Sequence, residues 1–151
     1  MKALIFDMDG TIANLYGVEN WLEYLRAENP LPYEIAEPLY DMATLNALLN
    51  ELKTIGYKII VTTWLSMGAS KAYNKKVRKA KKEWLNKMNF PYDELHMVKY
   101  GTPKTKCTHK YGEGQILVDD NSEVRAKWNL GSTIDATKDI ITELMELLLI
   151  E

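Results

Sequence analysis

At 151 residues with 46% of them hydrophobic, the chain is sized for one domain and can bury about 68–70% of its unfolded surface, which excludes intrinsic disorder as the main state. Nineteen basic against twenty-one acidic side chains leave a formal charge of −2, so no global field draws it to nucleic acid or to an anionic membrane, and any such partner must use a local patch. Cys107 is the single cysteine; it cannot close an intrachain disulfide, and one Cys with two scattered His lacks a zinc-site spacing, which fits a reducing cytoplasm.

The first predicted element is a strand. Ala3, Leu4, Ile5 and Phe6 form a continuous apolar run, the signature of a strand buried on both faces of a parallel sheet. The run is too short for a signal-peptide core. Residues 13 to about 41 follow as a small insert, with a short helix carrying Val18, Trp21, Leu22 and Leu25 on one face, then a Pro-spaced stretch with Pro32 and Pro38. Leu45, Leu48, Leu49, Leu52 and Ile55 at i, i+3, i+4, i+7 spacing predict an amphipathic helix, with Asp41 or Thr44 as N-cap and Gly56 just past its end.

A second strand is expected at Lys58–Val61, then a long helix over 70–88 with Tyr73, Val77, Ala80, Trp84 and Met88 as its apolar stripe. Its other faces are crowded with Lys71, Lys75, Lys76, Arg78, Lys79, Lys81, Lys82 and Lys87, either a solvated face or the electrostatic footprint of a phosphate-rich partner. Strands are expected near Leu95–Val98, at Gln115–Val118 and at Ser132–Ile134. Between and after them come a helix started by Thr102 as N-cap with Pro103 at the first helical position, a helix over 122–129, and a last one with Ile140, Ile141, Leu144 and Leu148 on one face. The final apolar run, Leu147–Ile150, is far short of the roughly 20 residues that cross a bilayer. This alternation predicts a soluble α/β domain, a Rossmann-like, mainly parallel sheet flanked by helices, with right-handed crossovers.

The first strand runs into Asp7-Met8-Asp9-Gly10-Thr11. Two carboxylates two residues apart leave a strand end on the same side, and Gly10 permits an immediate turn. Paired acids there suit Mg²⁺, which takes oxygen ligands and keeps room for a phosphate. The second strand ends in Val61-Thr62-Thr63-Trp64, where hydroxyls and following N–H groups suit phosphate oxygens or simply a helix cap. The fourth opens onto Asp119-Asp120-Asn121. Adjacent acids after an apolar strand raise each other's pKa unless a cation sits beside them, although Asp120 or Asn121 also suits capping the next helix. Lys104 and Lys106 compete as the cation that reaches a phosphate. Ligands of open α/β sheets bind outside the carboxyl ends of the strands, so a central first strand flanked by the second and fourth would bring these groups into one crevice.

In the order and spacing of these motifs the sequence resembles the haloacid dehalogenase-like (HAD) superfamily of phosphohydrolases over nearly its whole length. Asp7-Met8-Asp9-Gly10-Thr11 is similar to the first motif, Thr62 to the second, a lysine near position 104 to the third and Asp119-Asp120 to the fourth. The resemblance implies that Asp7 is the nucleophile forming an aspartyl phosphate, and that Asp9 is the acid and then the base. It implies that Thr62, Thr63 and Lys104 hold the phosphoryl oxygens, that Mg²⁺ lies among Asp7, Asp9 (through its main-chain carbonyl) and Asp119, and that Asp120 stands behind the ion. A second carboxylate at Asp9 favours a phosphatase over a dehalogenase, whose leaving group needs no proton.

The short insert at 13–41 is the single candidate for a cap, and Tyr16, Trp21, Tyr24, Tyr33 and Tyr40 give it an aromatic character suited either to stacking on a base, loosely like the deoxyribonucleotidase branch, or to packing. The expected activity is a Mg²⁺-dependent phosphomonoesterase acting on a small organic phosphate, with a nucleoside monophosphate as first choice. Two alternatives are a nucleic-acid end phosphatase using the Lys-rich helix and a HAD-fold protein that binds a phosphate ligand or partner without turnover. No GxxxxGK[ST] loop is present, so no kinase half is expected within these residues.

Overall fold

The computed structural model describes residues 2–150. β1 (Ala3–Phe6) is buried along its whole length because it lies at the centre of a parallel sheet. Ala3 and Ile5 pack with Ile60, Leu117 and Trp128 on one face, while Leu4 and Phe6 join the larger core on the other. This is the period-2 alternation of a strand covered on both sides.

The insert begins with a 3-10 turn at Leu15–Gly17 and continues through α1 (Trp21–Arg26) and α2 (Leu31–Ile35). α2 falls inside the Pro-spaced stretch, where no helix is expected from sequence. It forms because Pro32 sits in the first turn, where its missing N–H costs nothing. The ends of the insert are pinned together: the Asn14 N–H donates to the Glu37 carbonyl at 2.8 Å and the Leu39 N–H to the Ile12 carbonyl at 2.9 Å. Its own apolar cluster, with Leu15 and Tyr33, rests on Leu65, Tyr73, Val77 and Ala80.

α3 (Met42–Thr54) is capped by Asp41, whose carboxylate accepts from the Ala43 N–H and the Thr44 hydroxyl. The chain turns at Gly56, in the left-handed region at φ +105°, as the end of such a helix favours. β2 (Lys58–Trp64) runs three residues beyond the predicted end and pairs with β1 with Phe6 opposite Val61. α4 (Lys71–Lys87) buries Tyr73, Val77, Ala80 and Trp84 as expected, and also Lys81 and Leu85. Lys81 therefore leaves the solvent-facing lysine set.

After β3 (Glu94–Val98) comes α5 (Thr105–Thr108), which starts later than Thr102 and Pro103 suggest. The Thr102 hydroxyl is not a cap; it donates backwards to the Lys99 carbonyl at 2.7 Å and closes a turn before the helix. β4 (Gln115–Asp119) leads into α6 (Ser122–Lys127), capped by the Asn121 side chain. α6 stops two residues before the expected 129 because Trp128 is already extended at ψ 126°. β5 (Gly131–Asp135) and α7 (Ile140–Ile150) complete the fold. Among the described residues the strands form one parallel sheet in the order β3-β2-β1-β4-β5. β1 is thus central, between β2 and β4, with the carboxyl ends of all three on one edge. No helix among the described residues is long and apolar enough to cross a membrane.

Leu49, with none of its surface exposed, anchors α3 to the sheet. Leu49→Ala is expected to cost about 2–5 kcal/mol, seen as a lower urea midpoint with an unchanged slope.

Candidate active site

The loop after β1 is built to present two carboxylates. The N–H groups of Thr11, Ile12 and Ala13 all donate to the Met8 carbonyl, and the Gly10 N–H donates to the Ala13 carbonyl at 2.8 Å, which folds the chain back over the strand tip. Gly10 adopts φ +81°, and a Cβ there would collide with the Asp120 carboxylate and approach the Tyr16 ring at 2.9 Å. Only glycine meets both demands. Thr11 is fully buried. Its hydroxyl donates to Asp7 Oδ2 at 3.0 Å, with Asp120 Oδ1 at 3.4 Å as a second, weaker acceptor.

Of the two lysines, Lys104 is buried at 5% exposure among the acids, whereas Lys106 is exposed to solvent. Lys104 Nζ lies 2.8 Å from Asp7 Oδ1 and 2.7 Å from Asp119 Oδ2, bridging the tips of β1 and β4. The other Asp119 oxygen accepts from the Asn121 N–H at 2.9 Å. Carboxylate oxygens of Asp7, Asp119 and Asp120 approach within 4.8 Å of one another. Burial acts to raise the Asp7 pKa, but the charge and hydrogen bond of Lys104 outweigh it and hold Asp7 below the ordinary carboxylate range. Burial also acts to lower the Lys104 pKa, and Asp7 and Asp119 overcome it, so Lys104 stays charged. Asp120 is pushed up to about 7 by burial and by the Asp7 and Asp119 charges, and Asp119 is raised by burial and Asp7.

A hard divalent cation fits this donor set. Four carboxylates, of Asp7, Asp9, Asp119 and Asp120, share the site with two ammonium groups, of Lys81 and Lys104; fully ionised, the group carries an excess of two negative charges. The oxygen-only set suits Mg²⁺. Asp120 belongs to this three-acid cluster, whereas the Asp9 carboxylate is directed elsewhere: its Oδ2 accepts from Lys81 Nζ at 2.9 Å. Burial is the main force raising the Asp9 pKa, with Lys81 pulling against it.

The two threonines of β2 are separated by strand alternation. The Thr63 hydroxyl is bonded to Lys81 Nζ at 2.7 Å. The Thr62 hydroxyl is buried without a hydrogen-bond partner. One register step beyond the Phe6–Val61 pair puts Thr62 beside Asp7, and an orphaned buried hydroxyl next to the acid cluster is the feature a phosphoryl oxygen would satisfy. Lys81 is the candidate site residue that composition hid among surface lysines. Its sequence signal is its phase, four residues after Val77 and three before Trp84, on the apolar stripe.

These groups open onto a cavity of about 530 Å³, lined by Asp7, Asp9, Thr63, Lys104, Asp119 and Asp120 on one side. Tyr16, Trp21 and Tyr33 from the insert line the other. Tyr16 is 52% exposed and meets Trp21 edge-on, with ring centroids 4.9 Å apart. Tyr33, by contrast, is buried and shares a hydrogen bond with the Ser66 hydroxyl at 2.7 Å. The insert is tied down further where the Glu28 carboxylate accepts from the Ser70 N–H and hydroxyl, and where the Ala36 carbonyl accepts from the Trp84 indole at 2.7 Å.

No protein-family model matches the sequence, and no curated protein matches it. Solved structures do. One is a D,D-heptose 1,7-bisphosphate phosphatase from B. bronchiseptica, complexed with magnesium and phosphate; it aligns over the full length of both chains with a TM-score of 0.60 at 13% identity. Another is the HAD domain of the effector protein Lem4 from Legionella pneumophila, with a TM-score of 0.52 at 13% identity over 99% of this chain and 94% of that one. The chain has a HAD-like fold. A third similar structure is a chain of the Pnkp1/Rnl/Hen1 RNA repair complex, with a TM-score of 0.55 at 24% identity over 89% of this chain. This chain spans 42% of that one's length. Within that fold the strand order of this chain makes β1 central, with the acidic loop directly after it.

The electrostatics have a measurable consequence. Asp120 at about 7 lies well above the ordinary carboxylate value of 3.8, and Asp119 and Asp9 are shifted the same way. A carboxyl with a raised native pKa stabilises the fold below its unfolded pKa and loses that contribution as pH climbs through the native value. Asp7, shifted down, titrates below this window. In EDTA the melting temperature is expected to fall between about pH 5 and 8, and the increment added by Mg²⁺ to grow over the same interval, because the ion replaces the protons. Differential scanning fluorimetry across that range checks it; a Mg²⁺ increment that shrinks with rising pH contradicts the assignment.

Proposed function

We propose that the protein is a Mg²⁺-dependent phosphomonoesterase that works through an aspartyl phosphate on Asp7. The observation that carries the reading is the single lysine bridging Asp7 and Asp119 inside a buried acid cluster. It keeps one carboxylate ionised and fixed while leaving the cluster short of positive charge. Asp7, Asp119 and Asp120 would hold Mg²⁺, which would supply the missing charge and neutralise phosphoryl oxygens.

The chain's own groups do the rest. Asp7, ionised and oriented by Lys104 and Thr11, attacks phosphorus; an Asp–O–P bond forms as the ester P–O bond breaks. Asp9, with its raised pKa, gives its proton to the departing alkoxide, then takes a proton from the water that attacks the acyl phosphate and restores the Asp7 carboxylate. Lys104 and the unpartnered Thr62 hydroxyl bind the phosphoryl oxygens throughout. The insert acts as a small cap over the cavity.

For the substrate, the partly exposed Tyr16–Trp21 pair beside the acids favours an ester with a flat, stackable group, and a nucleoside monophosphate fits that description. A nucleic-acid end phosphatase is the second reading, supported by three features. One is the likeness to a chain of an RNA repair complex. Another is the row of exposed basic residues on α4, including Lys71, Lys75, Lys79 and Lys82. The last is a second cavity of about 290 Å³ that shares Trp64, Tyr100 and Lys104 with the first and extends the cleft.

Phosphate release from p-nitrophenyl phosphate is expected with Mg²⁺ and is abolished by EDTA and by Asp7→Asn. Asp9→Asn is expected to lower kcat by about 10²–10⁴-fold on an alkyl ester. A broad ester panel without turnover would instead indicate a binding protein. Mononucleotides compared with 3′- and 5′-phosphorylated oligonucleotides separate the two substrates, since the oligonucleotide reading alone predicts activity that falls steeply with salt.

A further inference from the structure

We propose that Lys81 is a positioning residue that fixes the Asp9 carboxyl for proton transfer, and that it thereby determines whether esters of weakly acidic alcohols are turned over. The inference rests on the phosphatase reading above and deepens it.

Lys81 is drawn from the middle of α4, a helix with a run of other lysines in solvent, and none of its surface is exposed. Burying an ammonium is costly unless every proton is matched. Here each one is. Nζ lies 2.9 Å from Asp9 Oδ2, 2.7 Å from Thr63 Oγ1 and 2.7 Å from the Trp64 carbonyl. The Tyr33 ring adds a cation–π contact, its centroid 5.1 Å from Nζ. Helix packing alone would be served as well by leucine or methionine at this phase of the stripe. What an apolar residue lacks is the tie between three parts of the site: the loop after β1, the tip of β2 and the insert.

The direction of that tie has a chemical meaning. A lysine ammonium only donates, so the oxygen it touches, Asp9 Oδ2, must act as acceptor. When Asp9 is neutral its proton therefore sits on Oδ1. That oxygen has no side-chain partner among the described residues, while Asp9 as a whole lines the cavity. Lys81 thus selects which oxygen carries the transferable proton and stops the carboxyl from rotating. An alkoxide leaving group needs that proton as its P–O bond breaks; p-nitrophenolate departs without one.

The test compares p-nitrophenyl phosphate with the best alkyl phosphate of the mononucleotide panel. Lys81→Met is expected to lower kcat on the alkyl ester by about 10²-fold or more, and on p-nitrophenyl phosphate by about tenfold or less. Asp9→Asn should give the same ordering of the two esters. In the Asp9→Asn background Lys81→Met should cost nothing further, because both act through one group. Lys81→Arg, which keeps the donor and the charge, should recover most of the alkyl-ester rate. If Lys81→Met does not fold by circular dichroism, Lys81→Gln makes the same comparison. Equal losses on both esters, or losses that add to those of Asp9→Asn, overturn the proposal and leave the phosphatase reading standing. A wild-type protein that turns over neither ester with Mg²⁺ overturns that reading, and the proposal with it.

Discussion

Like charges brought together out of water set the terms for this fold. β1 and β4 are neighbours in a parallel sheet, so their carboxyl ends deliver Asp7, Asp119 and Asp120 to one place, and the loop after β1 adds Asp9. Such a group stays ionised only where compensating charge is also buried. Lys104 meets part of that demand by standing between Asp7 and Asp119, and Lys81 meets part by standing against Asp9. With all four acids ionised, the remainder is a deficit of two charges, which is the electrostatic ground for the divalent ion proposed above.

The two walls of that site are built differently. The nucleophile candidate and the β4 acids sit directly on sheet edges, where hydrogen-bonded strands on both sides fix their positions. The aromatic wall comes from the insert, which rests on its own small cluster and is fastened at its base and on α4. The insert also reaches the acids, through the Tyr33 ring over Lys81, which holds Asp9.

Much was legible because strand-end chemistry is local. A fully apolar tetrapeptide followed by Asp7, Asp9 and Gly10, and an apolar run followed by Asp119 and Asp120, identify strand, turn and acids from adjacent residues alone. The α3 cap at Asp41 and the α6 cap at Asn121 are equally local. The miss at Thr102 is instructive in the other direction: Thr-Pro is a sound helix start, but the hydroxyl found a closer acceptor in the Lys99 carbonyl. α2 escaped notice because prolines in a short first turn look like a loop.

From the sequence itself came the α/β alternation and the identity of the acids, since each depends on residues a few positions apart; the central place of β1 came from its pairing with β2 and β4. Tertiary structure alone decided which lysines are buried against the acids. Lys104 and Lys106 differ by two positions, and Lys81 differs from its neighbours on α4 only in helical phase. A lysine chain is long enough to reach solvent or a buried carboxylate from nearly the same backbone position, so its partner is chosen by packing across 72 residues between Asp9 and Lys81 and 97 between Asp7 and Lys104.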